Sequence, residues 1–183
     1  LDGTTSARLD TVARQHGLTA NVVVQLAWAV LLSALTGRDD VVFGATVSGR
    51  PAELPGSEHI VGLLINTIPV RVRLDPRRSV AESLAALRAQ QLAMLDHQHA
   101  DLTRLQSIAG HAELFDTVVV FENYPIDESA LCDGVPGLEL LDVQGRDGTH
   151  YPLTLIAMPG GGRLRLRLDH STDVFDEAGA RRL

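Results

Sequence analysis

The sequence predicts an α/β fold, a layered sandwich in which helices cover a mixed β-sheet. Segments with helix and strand patterns are interleaved: two helices, two strands, a helix, a strand, a β-rich end and a final helix. The inner strands are near-continuous apolar runs, typical of strands covered on both faces. Apolar residues make up 45% of the 183 residues and charged residues 21%, a globular composition with length enough for one core or for half of a larger domain.

The composition also excludes several classes of function. The net charge of -7 gives no general attraction to nucleic acid or to anionic membranes. Cys132 is the single cysteine, so no intramolecular disulfide can form and a cytoplasmic location is favoured. The longest apolar segment, residues 22–35, contains Gln25 and Ser33 and is too short to span a bilayer. The chain starts without Met and stops within a predicted helix, so we expect a part of a longer polypeptide.

The first two predicted elements are helices. The N-cap candidates of the first helix are Thr4, Thr5 and Ser6. Gly17 ends this helix, and Thr19 caps a second one over residues 20–36 that is apolar nearly all round and therefore central. Gly37 ends the second helix, because a left-handed C-terminal residue favours glycine.

The stretch from residue 41 to residue 72 organises the rest of the chain. Residues 41–47 form one predicted strand, and a polar corner follows at residues 48–51. Residues 60–72 form a second apolar run, predicted as a strand, with Asn66 in its middle. Asp75 and the proline after it end this strand.

Three further elements precede a loop-rich region. Ser79 and Glu82 form a capping box at the start of a helix that runs to about residue 96. Asp101 caps a short helix, and residues 114–123 form another buried strand. Residues 125–137 are predicted as a loop.

The C-terminal part is rich in strands. The predicted strands span residues 138–144, 151–158 and 163–168. Residues 160–162 are glycines that make a hairpin turn, and the alternation in residues 163–168 gives that strand one solvated face. Asp173 is predicted to cap the final helix.

Ser48, Arg50 and Asn66 form the most informative polar set. An unpaired polar group inside apolar strands costs about 1–3 kcal/mol, so each of them should have a partner. The guanidinium of Arg50 suits a buried carboxylate. Alternatively, the set fixes the strand-to-loop corner, and the two interpretations are compatible.

Other patterns indicate chemistry only weakly. His97, His99 and Asp101 could bind a metal, but Asp101 is better explained as an N-cap. Ser48 lacks the GxSxG spacing of a hydrolase nucleophile.

Later patterns give no stronger candidate. His170 and Asp173 make a weak catalytic pair, since no neighbour orients the histidine. Arg163, Arg165 and Arg167 indicate a solvated, salt-bridged strand face rather than an anion site.

Four motifs, in order, resemble those of nonribosomal peptide synthetase condensation domains. They are DDVVFGATVSGRP, VGLLINTIPVRV, LDHQHADLTRLQ and LFDTVVVFENYP, and the helix NVVVQLAWAVLLSALTGRDD is similar too. The resemblance implies a chloramphenicol-acetyltransferase-like lobe. A whole domain of this family has two such lobes, with a catalytic HHxxxDG motif in the N-terminal one. The present sequence has no adjacent histidines, so residues 1–183 resemble the C-terminal lobe alone.

The resemblance also implies roles for residues. The family joins a donor aminoacyl or peptidyl thioester to the amine of an acceptor aminoacyl thioester. Arg50, with Ser48, would pair across the lobes with the Asp of HHxxxDG. Asn66 and Gly62 would line the substrate tunnel, with residues 41–69 including its floor loop and the segment after Tyr124 its latch. No catalytic residue and no metal site is expected in this chain, which alone should be inactive.

Partners follow from the same resemblance. They are the N-terminal lobe, upstream and downstream peptidyl carrier proteins and an adjacent adenylation domain, with no nucleic acid and no membrane. No cofactor binds directly, since phosphopantetheine on the carriers presents the substrates. A non-catalytic docking or recruitment module, an epimerising or cyclising relative, and a hydrolase that brings Ser48 and His170 into one pocket are the alternatives.

Overall fold

The computed structural model describes residues 1–50, 55–122 and 149–183. Five helices lie in this part of the chain: α1 (Gly3–Gln15), α2 (Ala20–Thr36), α3 (Val80–Ala93), α4 (Leu102–Ala109) and α5 (Glu177–Ala180). Its five strands are β1 (Asp40–Val47), β2 (Asn66–Arg73), β3 (Thr117–Phe121), β4 (Leu153–Gly160) and β5 (Arg163–His170).

The described strands form one mixed sheet in the order β2-β1-β3-β4-β5. β1 pairs with β2 antiparallel, β1 with β3 and β3 with β4 parallel, and β4 with β5 antiparallel. The predicted mixed sheet is therefore confirmed. The glycines at residues 161–162 make the β4–β5 turn with positive φ, as the sequence predicts.

The core lies where α2 packs on the middle of the sheet. Trp28 and Ala29 of α2 share one buried cluster with Phe43 of β1 and Val119 of β3. The indole Nε1 of Trp28 donates to Oγ1 of Thr117 at 3.4 Å, which supplies a partner for a polar group in the core. The central position predicted for the second helix is confirmed.

Several predicted caps are confirmed. Thr19 caps α2, Ser79 and Glu82 form a capping box on α3, and Asp101 caps α4 through a 2.6 Å bond from Thr103 N–H. Gly37 ends α2 in the left-handed conformation.

The predicted start of the first helix is wrong. The N-cap of α1 is Asp2, whose carboxylate accepts from Thr5 N–H at 2.7 Å. Ser6, one of the predicted caps, is buried and faces β5 instead. Its hydroxyl accepts from Leu164 N–H at 3.0 Å, so it satisfies a donor on that edge strand.

The predicted start of the last helix is wrong as well. Asp176, not Asp173, caps α5 and accepts from Gly179 N–H at 2.6 Å. Asp173 belongs to the preceding turn, where its N–H donates to Ser171 Oγ at 3.4 Å.

The second predicted strand is too long. β2 begins at Asn66 rather than at residue 60, because β1 ends at Val47 and the register pairs Val47 with Asn66. β1 therefore offers no residue with which the residues before Asn66 could pair. The remaining strand ends differ by a few residues from the prediction.

Some predictions fall outside the described residues. These are the loop at 125–137, the strand at 138–144, Cys132 and the latch after Tyr124. Within the described ranges, no single helix is both long and apolar enough to cross a membrane, while α1 and α2, bent by 107° to each other, pass that test only as a pair.

Candidate functional site

The long connection between β1 and β2 begins with a tight corner. Gly49 has a φ of 61°, and a Cβ built on it would lie 1.7 Å from the carbonyl oxygen of Leu64. Only glycine allows the two ends of the connection to approach so closely. The Oγ of Ser48 accepts from Arg50 N–H at 3.4 Å, so Ser48 stabilises the corner.

Arg50 holds the middle of this connection. Its Nη1 donates to the carbonyl oxygen of Ser57 and, at 3.2 Å, to that of Ile60. Ser57 is buried, and Gly56 before it has a φ of 77°, which starts the short turn that Ser57 and His59 form. Across residues 1–50, 55–122 and 149–183, no carboxylate pairs with Arg50. The predicted partner across the lobe boundary is not in this chain and stays a prediction.

Beyond Arg50 the connection becomes an exposed apolar segment. We call residues 60–65 the apolar loop. Its exposed fractions are 41% for Ile60, 100% for Val61, 91% for Leu63 and 49% for Ile65. Four large apolar side chains in six residues form a surface of the kind that marks an interaction site.

The sequence interpretation missed this apolar loop and treated it as strand. Two signals in the sequence could have found it: Pro55 and Gly56 before it, and Gly62 within it. Gly62, predicted to line the tunnel, lies on the exposed apolar loop.

Asn66 joins the start of β2 to the loop after α3. Its Nδ2 donates to the carbonyl oxygens of Gln98 and Ala100, at 2.8 and 2.9 Å. Its Oδ1 accepts from Thr67 N–H at 2.9 Å. The expected partners of this amide are thus found within the chain, and they are backbone groups.

His97 and His99 flank the backbone that Asn66 holds. Both side chains are exposed, while Asp101 is engaged as the cap of α4. In the described part of the chain, no group of three or more His, Cys, Asp or Glu residues could hold a metal ion.

The hydrolase alternative is contradicted by topology. Ser48 follows the C-terminal end of β1, whereas His170 pairs with Leu153, the first residue of β4. β3 and β4 separate β1 from β5, about 14 Å across the sheet at about 4.8 Å per strand, and the two residues lie at opposite ends. They cannot form a nucleophile–base pair.

Two groups near the other end of the sheet have shifted pKa values. Hydrogen bonding from Arg71 lowers the pKa of Asp40, with smaller contributions from the charges of Arg71 and Arg73. Burial raises the pKa of Tyr151. Asp40 opens β1 and Tyr151 precedes β4, so both groups lie at the end of the sheet opposite to the corner.

The predicted solvated, salt-bridged arginine face of β5 is confirmed in part, because Arg167 is half-buried. Arg163 and Arg165 are exposed, and Nε of Arg167 lies 3.1 Å from Oδ1 of Asp169.

Comparison with known proteins gives a consistent result. Residues 1–183 match the Condensation domain family. A linear gramicidin synthase from Brevibacillus parabrevis is 45% identical over 159 residues, which are 85% of this chain and 3% of that protein. Surfactin synthase subunit 3 of Bacillus subtilis is 38% identical over 173 residues, which are 94% of this chain and 14% of that protein. The chain therefore spans a small part of the length of these relatives.

Solved structures share the fold. The first condensation domain of the CDA synthetase has a TM-score of 0.76 at 20% identity, covering 99% of this chain and 40% of that one. Holo-AB3403, a four-domain nonribosomal peptide synthetase bound to AMP and glycine, has a TM-score of 0.81 at 20% identity over 99% of this chain and 15% of that one.

Proposed function

Because this chain belongs to the Condensation domain family of nonribosomal peptide synthetases, we propose that it is the C-terminal lobe of an amide-forming condensation domain. The lobe supplies a wall of the substrate tunnel, its floor loop and a latch. The catalytic histidine motif belongs to an N-terminal lobe, so this chain alone is inactive.

The proposed reaction is acyl transfer to nitrogen. The amine of an acceptor aminoacyl thioester attacks the thioester carbonyl of a donor on another carrier protein. An amide bond forms, the carbon–sulfur bond breaks, the thiol of the donor carrier leaves and the amine loses a proton. A lobe that holds both substrates in line contributes through proximity and orientation.

The apolar loop is the observation that carries the proposal. Val61 and Leu63 are almost fully exposed at the end of the sheet that also holds Arg50 and Asn66. Contiguous exposed apolar side chains favour burial against a partner surface. An N-terminal lobe is the proposed partner, which agrees with the 40% share of the CDA condensation domain that this chain covers.

Arg50 has a role in this arrangement that fits its observed bonds. It already fixes the backbone at Ser57 and Ile60, and so the shape of the apolar loop. We propose that the rest of its donor fork faces the Asp of the histidine motif. One guanidinium would then couple the floor loop to the catalytic motif.

The further partners are proposals of the same kind. Upstream and downstream peptidyl carrier proteins present the substrates on phosphopantetheine, and an adenylation domain lies next in the assembly. The names of the relatives support this setting, since one is a gramicidin synthase and another a four-domain nonribosomal peptide synthetase.

A split-domain assay tests the proposal. This chain is mixed with a separately produced N-terminal lobe and with loaded donor and acceptor carriers, and the dipeptidyl thioester is measured by mass spectrometry. Product is expected only from the mixture. Product from this chain alone would contradict the proposed division of labour. Association of the lobes without product would favour the non-catalytic docking module.

A further inference from the structure

A cavity of about 260 Å³ lies between strand β2 and helix α3. We call it the arginine pocket, because Arg71, Arg73 and Arg78 line it. None of the described residues that line it is acidic. The chain as a whole has a net charge of -7, so three arginines around one cavity run against its overall charge. The local excess of positive charge indicates a site for an anion.

Asp40 holds two of these arginines in place. Nε and Nη2 of Arg71 donate to the two carboxylate oxygens of Asp40, at 2.8 and 2.6 Å, and Nε of Arg73 lies 3.4 Å from Oδ2. Nη1 of Arg71 and both Nη atoms of Arg73 take no part in these contacts and can donate to a ligand. A guanidinium that is already held in one orientation loses less conformational entropy when it binds an anion.

Two carboxylates close in sequence to Arg78 are engaged outside the arginine pocket. Oδ1 of Asp75 accepts from Nε of Arg77 at 3.2 Å, and Oε2 of Glu82 accepts two bonds from the N-cap residue of α3, both at 2.8 Å. Neither carboxylate lines the pocket, and no carboxylate in the described ranges forms a salt bridge with Arg78. The three guanidinium groups and the carboxylate of Asp40 therefore leave an excess of two positive charges.

The base of the arginine pocket is apolar. Val72 and Leu87 are both buried there, and Gln90 adds a side-chain amide that can donate. Walls of low dielectric constant strengthen the field of charges at the rim of a cleft. The volume lies below the usual range for drug-sized ligands, so the pocket suits a small ionic group.

We propose that the arginine pocket binds an oxyanion of the phosphate class, either a free phosphate or pyrophosphate or the phosphoryl group of a phosphomonoester. Such a group carries about −1.5 to −2 charges at pH 7 and offers three acceptor oxygens, which matches the excess of two positive charges. Arginine forks fit phosphate oxygens with paired hydrogen bonds. A single carboxylate would leave one positive charge uncompensated. The inference does not use the proposed function, since Asn66 and Arg73 lie at opposite ends of β2.

Isothermal titration calorimetry of the complete two-lobed domain with pyrophosphate, at one fixed ionic strength, tests the proposal. Arg78→Gln removes a guanidinium without touching the contacts of Asp40, and we expect the Kd to rise at least about tenfold, as for the loss of one hydrogen bond to a charged group. Arg88→Gln is the matched control, because Arg88 is exposed on α3 and does not line the arginine pocket. It should change the Kd less than about twofold, since salt screens a distant charge.

A second pair of variants tests the space rather than the charge. Ala86 is exposed and lines the arginine pocket, so Ala86→Trp fills the cavity and keeps all three arginines. It should remove saturable binding of pyrophosphate. Ala85 is exposed beside it and does not line the pocket. Ala85→Trp should keep the Kd within about twofold, as for a surface substitution away from the site.

Further probes identify the source of the phosphate group. Tighter binding of pyrophosphate than of glycerol 3-phosphate would support a free inorganic anion, and the reverse order would support the phosphoryl group of a larger molecule. Malonate, a dicarboxylate, should bind more weakly than both, and malonate binding as tight as that of pyrophosphate would overturn the phosphate class. Equal losses in Arg78→Gln and Arg88→Gln, or no saturable binding of either phosphate compound, would overturn the site itself. None of these readouts depends on amide formation.

Discussion

The side-chain amide of Asn66 donates to the carbonyl oxygen of Gln98 at 2.8 Å, across 32 residues of sequence. A second bond to Ala100 makes the contact bidentate. Through this contact the first residue of β2 fixes the backbone between α3 and α4.

Asn66→Asp should weaken the contact between the start of β2 and the backbone at Gln98 and Ala100. The carboxylate would face two carbonyl oxygens that it cannot donate to, and we expect a loss of about 1–3 kcal/mol in the free energy of unfolding. Urea denaturation measures it. Ser107→Ala, on the exposed side of α4, is the control and should be nearly neutral. A wild-type midpoint for Asn66→Asp would show that the bond carries no net stability.

Arg50→Ala should damage both the apolar loop and the whole domain. The carbonyl oxygen of Ser57 would keep Ile60 N–H as a donor at 3.4 Å but lose the guanidinium, at a cost of about 0.5–1.5 kcal/mol. In a two-lobed domain we expect at least about a tenfold lower rate, which corresponds to about 1.4 kcal/mol in the barrier. Arg104→Ala, an exposed change on α4, serves as the control. Wild-type rate and melting temperature in Arg50→Ala would disprove the coupling across the lobes.

The apolar loop should bind environment-sensitive dye and promote self-association of the separate lobe. Replacing Val61 and Leu63 together with Ser should lower dye fluorescence and shift the lobe toward monomer in sedimentation, because these two side chains are almost fully exposed. The same double variant should weaken association with an N-terminal lobe. Unchanged association would mean that another surface joins the lobes.

Acid should remove a small stabilising contribution at Asp40. Arg71 lies 2.6 Å from its carboxylate and Arg73 lies 3.4 Å away, and together they lower its pKa below the usual 3.8. A pKa depressed in the folded state stabilises the protein above about pH 4 and loses that contribution as pH falls through the folded pKa.

The variant Asp40→Asn tests the ion pairs of Asp40 with Arg71 and Arg73. Its melting temperature should be slightly below that of the wild type at pH 7, with the difference shrinking toward pH 2 and in high salt, since exposed ion pairs are weak and screened. A difference that is constant with pH would assign the effect to strand pairing rather than to charge.

The features predicted correctly from the sequence are those that depend on residues close together in the chain. The caps at Thr19 and at Ser79 with Glu82 depend on residues three apart, and the mixed sheet follows from which segments are apolar throughout. The first cap was misplaced because Ser6 is used by β5, 158 residues away, a tertiary contact that cap propensity does not contain. The start of β2 was misplaced because strand length is set by the partner strand and not by hydrophobicity alone.

The candidate site was also predicted only in part. Asn66 was identified as a buried amide in need of a partner, which was confirmed, but its partners are carbonyl groups and carry no sequence signal. The bond between Gln91 and Gln25 was not visible beforehand, because the two residues come from different helices that lie 66 residues apart in sequence.

The bond between Ser6 and Leu164 has a consequence for how this sheet resists unwanted pairing. Among the described strands β5 lies at one edge of the sheet, where free backbone donors invite strand addition by another chain. Helix α1 occupies one such donor, the N–H of Leu164, through the hydroxyl of Ser6. At the opposite edge, β2 carries Pro69 and outward arginines at positions 71 and 73, which discourage a new strand. Both edges of the sheet that the described strands form therefore carry features that disfavour cross-β pairing with another chain.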